Sequence, residues 1–64
     1  MMSSDHDTRE DIASELWTVA ELLADQGKPA NAHAARTAAN DLLYGEGSIP
    51  LAMGLLGHYE NLLV

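Results

Sequence analysis

The side chains best able to do chemistry are His6, His33 and His58, with the carboxylates around them. His6 stands between Asp5 and Asp7, an arrangement that could attract a metal ion. A specific site needs three or four ligands held in place, and this run lies in a polar segment expected to fray. His33 and His58 are far apart in sequence and could meet only through the tertiary fold. The chain has no cysteine. It carries no recognisable Ser/His/Asp constellation and no glycine-rich phosphate loop. The expectation is a non-enzymatic protein with no catalytic, cofactor-binding or metal-binding residues.

Two further groups stand out by spacing. His33, Thr37, Asn40 and Tyr44 recur at intervals of four, three and four, with Arg36 beside them. On a helix they share one polar face. That face is either a recognition stripe or an ordinary solvated surface. Gly54 and Gly57 lie within one turn of each other, next to His58 and Asn61. Each costs roughly 1 kcal/mol inside a helix relative to Ala. They mark either a close helix–helix crossing or groove, or an irregular turn.

Three helices must position these residues. Residues 1–8 are expected to form a flexible polar tail, and residues 9–64 a single three-helix domain. Thr8 is a suitable N-cap, with Glu10 and Asp11 at the positive end of the helix dipole. The first helix is expected over 9–26, with Gly27 at its C′ position and Pro29 preventing continuation. The second, over 29–44, starts on Pro29 and is rich in Ala. Gly45-Glu46-Gly47 ends it. The third, over 49–63, is capped by Ser48 and has Pro50 in its first turn. Such short connections imply antiparallel neighbours. The fold class is therefore all-α, a small three-helix bundle with no strand.

The apolar faces predict self-association. Ile12, Leu16, Val19 and Leu23 form one stripe on the first helix, and Ala13, Trp17, Ala20 and Ala24 a second. Leu22 widens the arc. The third helix sets Leu51, Leu55, Tyr59 and Leu62 beside Ala52, Leu56 and Leu63, with Met53 and Val64 toward its other side. The second helix offers a thin surface of alanines with Leu42 and Leu43. So small a domain has a marginal core, and the lack of cysteine removes disulfides as a staple. A homodimer is expected, with Trp17, Leu22, Leu55, Leu56, Tyr59, Leu62 and Leu63 as its possible interface residues.

Charge bounds the partners. Ten acids stand against Arg9, Lys28 and Arg36, a formal net charge of −7. Nucleic acid is disfavoured, because a basic footprint is the first mark of such binding, and anionic membrane surfaces are disfavoured for the same reason. No run approaches the ~18 apolar residues of a membrane span, and the acidic start does not resemble a leader sequence. A cytoplasmic location is expected.

Residues 11–43, DIASELWTVAELLADQGKPANAHAARTAANDLL, resemble the opening of the helical N-terminal domain of bacterial and archaeal family X DNA polymerases. Ile12, Ala13, Ala20, Leu22, Leu23 and Gly27 fit the family's first helix. Pro29, Ala32, Ala34, Arg36, Ala38 and Ala39 fit its second. The family's aromatic after Pro is Ala30 here, and its arginine positions are largely Asn31, His33 and Thr37. The family's DNA-gripping hairpin and catalytic domain have no counterpart. The resemblance implies a shared helical hairpin and carries no polymerase activity.

Three functions remain in view. The first is an acidic helical module acting through homodimerisation or another protein partner. The second is an accessory protein of nucleic-acid metabolism. The third is an acidic inhibitor or antitoxin-like protein that occupies a basic partner.

Overall fold

The computed structural model describes residues 3–63; Met1, Met2 and Val64 lie outside the described residues, and with them that part of the expected tail and of the third helix's apolar face. Three helices occur in the order α1 (Ser3–Asp25), α2 (Pro29–Tyr44) and α3 (Ile49–Asn61). There is no strand among the described residues. The molecule measures 39 × 18 × 15 Å, and α1, at about 1.5 Å per residue, spans most of its long axis.

The punctuation marks act as their chemistry requires. Gly27 has φ +77°, the left-handed conformation that closes a helix without a Cβ clash. The Lys28 amide donates to the Leu23 carbonyl at 2.9 Å and the Gly27 amide to Ala24 at 3.1 Å. This bonding pattern is a Schellman motif. Pro29 opens α2 where its missing N–H costs nothing. Ser48 caps α3, its hydroxyl accepting from the Leu51 amide at 3.2 Å.

The first helix begins earlier than its cap signal indicates. α1 starts at Ser3, and Thr8 lies inside it. Two contacts with i,i+4 spacing join the added turn to the regular helix. Arg9 Nε lies 3.4 Å from Asp5 Oδ2, and His6 Nε2 lies 3.3 Å from Glu10 Oε2. Asp5 also sits in the first turn, where the dipole favours an acid. α3 ends at Asn61, with Leu62 as its cap.

The core is drawn from all three helices. Ile12, Ala13, Leu16, Val19, Ala20 and Leu23 of α1 are buried, as are Ala32, Ala35, Ala39 and Leu42 of α2 and Ala52 and Tyr59 of α3. Leu16, Leu23 and Leu42 are the largest fully enclosed side chains. α1 packs more extensively on α2 than on α3. The alanines of α2 therefore do more than offer a thin apolar surface. With no side chain beyond Cβ, they let two backbones approach, and Ala32, Ala35 and Ala39 become wholly inaccessible. Ala24, at the end of α1's second stripe, is exposed.

Candidate functional site

The three basic side chains have two different surroundings. Arg9 Nη1 donates to the carbonyls of Leu42 at 3.1 Å and Gly47 at 2.7 Å. Leu42 is in the last turn of α2, whose carbonyls have no partner within the helix, and Gly47 lies in the loop that follows. Lys28 Nζ donates to the carbonyl of Leu62, the cap of α3. Both cations thus sit at helix ends of negative dipole potential. Arg36 is exposed on α2. The loop that Arg9 holds is tight. The amides of Gly45 and Gly47 both donate to Asp41, at 3.0 and 3.1 Å. A Cβ on Gly47 would come within 3.1 Å of the Asp41 and Leu42 backbones.

An open groove of about 580 Å³ lies between α1 and α3. Val19, Leu22 and Leu63 provide its apolar surface, with Leu22 43 % exposed. Asp11 and Glu15, one turn apart on α1, and Glu60 of α3 supply carboxylates. Ser14 and Thr18 add hydroxyls, although Thr18 Oγ1 donates back to the Ser14 carbonyl at 3.1 Å. A second cleft of about 60 Å³ lies between α2 and α3, bordered by Ala38, Leu51 and Leu55.

The residues expected at an interface do not stay together. Leu22 and Leu63 share the groove, and Leu55 borders the smaller cleft. Trp17, Leu55, Leu56, Leu62 and Leu63 are half-buried against the core. Tyr59, one of the possible interface residues, is only 8 % exposed and belongs to the core of the single chain. It shares the inward line of α3 with Ala52, seven residues earlier and so two turns away. Its ring meets the edge of His58 at a centroid distance of 5.2 Å.

The outer side of α3 carries exposed apolar side chains. Leu51 and Met53 are 61 % and 58 % exposed. A Cβ added to Gly54 or Gly57 would meet nothing within 4 Å. No helix of this chain crosses closely there, and both glycines lie inside regular α-helix. On α2, His33, Arg36, Thr37, Asn40 and Tyr44 are all exposed, Tyr44 most of all at 81 %. They line neither concavity, and Thr37 Oγ1 donates to the His33 carbonyl at 3.0 Å.

Among the described residues, no group of three or more His, Asp or Glu is placed to hold a metal ion. His6 faces Glu10. No helix of the described residues is long and apolar enough to cross a membrane.

The groove's polar walls escaped the sequence analysis, though one signal was present. Asp11, Glu15, Thr18 and Leu22 recur at helical spacing beside the core stripe. A polar row of that kind ordinarily marks a solvated face, and only the approach of Glu60 and Leu63 from α3 turns it into one wall of a groove.

The chain belongs to the family described as Domain of unknown function (DUF7273), whose model matches residues 1–64. No curated protein and no solved structure matches it.

Proposed function

We propose that this protein is a non-enzymatic helical interaction module that forms a homodimer through the outer side of α3. The observation that carries the proposal is the exposure of Leu51 and Met53, which flank two open glycines on the outer side of α3. Exposed apolar surface of this kind marks contact sites. Gly54 and Gly57 each weaken an isolated helix, and a second backbone lying close against them would offset that cost. Charge supports a second copy as the occupant. Two chains of net charge −7 meet most readily where carboxylates are few, and Glu60 is the one acid of α3. The α1 side of the expected interface suits a second copy less well. There Leu22 lies among Asp11, Glu15 and Glu60, which a two-fold axis would set against their own copies.

The helices are proposed to run antiparallel. Support comes from Arg9, near the start of α1, which bonds the last turn of α2, and from Lys28, before α2, which bonds the end of α3. For the resemblance to family X polymerases, the proposal extends only to the α1–α2 hairpin. With Arg9 and Lys28 engaged by main-chain carbonyls, an accessory role on nucleic acid draws no support from the surface.

Sedimentation equilibrium over a wide concentration range tests the dimer. A species of twice 6.9 kDa is expected, reverting to monomer in Leu51→Glu with Met53→Glu. A single monomeric species at hundreds of micromolar would refute it.

A further inference from the structure

The groove between α1 and α3 has a different character from the outer side of α3, and we infer that it receives a cationic amphipathic helix from another protein. Its volume of about 580 Å³ falls within the range of small-molecule pockets, but it is open. A drug-sized ligand needs most of its surface enclosed. An open trough suits a rod instead. From Asp11 to Leu22 the α1 wall extends three turns, about 16 Å at 1.5 Å per residue. That length accommodates about three turns of an incoming helix, with its apolar contacts at the Leu22 end and its polar contacts along Asp11, Ser14, Glu15 and Thr18. Leu22 and Leu63 would receive the apolar anchors.

Charge complementarity selects the occupant. Asp11 and Glu15 stand on one wall and Glu60 on the other, all three exposed. Lysines or arginines flanking the apolar row of an incoming helix would meet carboxylates on both sides. The excess of acids over the whole chain would also speed its approach. A second copy lacks this complement. Its Arg9 and Lys28 are engaged with its own carbonyls, which leaves Arg36 as an exposed cation. This inference stands apart from the proposed dimer, since it uses the opposite kind of surface and a different partner.

The probe is a synthetic helical peptide with leucine at i, i+3, i+4 and i+7 and lysine elsewhere, titrated into isotope-labelled full chain. Amide shifts are expected to concentrate on Thr18, Leu22 and Glu60. A matched peptide with glutamate in place of lysine should produce none. Asp11→Lys with Glu15→Lys should weaken binding at least about tenfold, equivalent to about 1.4 kcal/mol. Asp41→Lys with Glu46→Lys, an equal change of net charge outside the groove, should weaken it less than about threefold. Asp11→Asn with Glu15→Gln gives an intermediate loss and serves if the lysine pair fails to fold. Leu22→Ala should also weaken binding while leaving the melting curve unchanged. Three results would overturn the inference: no localised shifts, equal losses from both charge-reversed pairs, or self-association that depends on the groove acids. Sedimentation of the same samples without peptide reports on the dimer separately, so either surface can fail while the other stands.

Discussion

Arg9 and Gly47 lie 38 residues apart in sequence, yet Arg9 Nη1 donates to the Gly47 carbonyl at 2.7 Å. The same nitrogen reaches Leu42, so one guanidinium ties α1 to the end of α2 and to the loop that leads into α3. In a fold without disulfides, this contact and that of Lys28 with Leu62 join segments distant in the chain.

Replacing Arg9 by Met should therefore destabilise the fold by about 1.5–3 kcal/mol, the range for hydrogen bonds to a charged group. Arg9→Lys should recover part of the loss, since an ammonium cannot present the guanidinium's fixed fork. Urea denaturation of the three proteins decides. Identical midpoints would show that water replaces the guanidinium at no cost.

Leu16 is fully enclosed, and Leu16→Ala should cost about 2–5 kcal/mol. A domain this small has a total stability near the lower end of about 5–15 kcal/mol, so the variant should melt far below the parent and keep at most about 3 kcal/mol of stability. Leu22→Ala, at a position 43 % exposed, should shift stability by no more than about 0.5 kcal/mol. Circular dichroism melts of both would expose a wrong assignment of the buried face.

Two glycines in different settings should respond with opposite signs. Gly27→Ala places a Cβ at φ +77° and should cost about 1–2 kcal/mol. Gly54→Ala adds a methyl group in open space and should stabilise the monomer by up to about 1 kcal/mol. The proposed dimer would be weakened by the same Gly54 change. Melting and sedimentation measured together separate the two effects, and a lowered monomer stability would contradict the open geometry.

Duplex DNA should not bind with micromolar or tighter affinity at about 150 mM salt. Few counterions can be released by three cations, two of which are held by carbonyls. A fluorescence-anisotropy titration against a short duplex checks this, and a micromolar constant would revive the nucleic-acid reading.

Much of the fold was legible because it depends on local chemistry. Gly27, Pro29, Ser48 and Pro50 each act within one turn, and they place α2 and the start of α3 correctly. The stripe Ile12, Leu16, Val19 and Leu23 is buried in full because helical periodicity aims all four side chains one way. What escaped follows from neither the caps nor the periodicity. The start of α1 could not be inferred from Thr8, because the added turn is joined to the helix by the contacts of Asp5 with Arg9 and of His6 with Glu10. Tyr59 stood among the possible interface residues because its stripe on α3 looked too wide for a thin, alanine-rich neighbour to cover. The alanines thin α2, which lets its neighbours close in.

The brevity of the Gln26–Lys28 connection bears on how the chain finds its fold. α1 and α2 share the larger part of the packing and are joined by three residues, so their pairing closes only a small loop and loses little chain entropy. The bonds from Arg9 to Gly47 and from Lys28 to Leu62 span 38 and 34 residues and become favourable only once the hairpin exists. Assembly should thus begin beside Gly27 and finish with α3 clasped at both ends, at the microsecond-to-millisecond pace of chains with mostly local contacts. Arg9 substitutions would then leave the folding rate nearly unchanged and hasten unfolding.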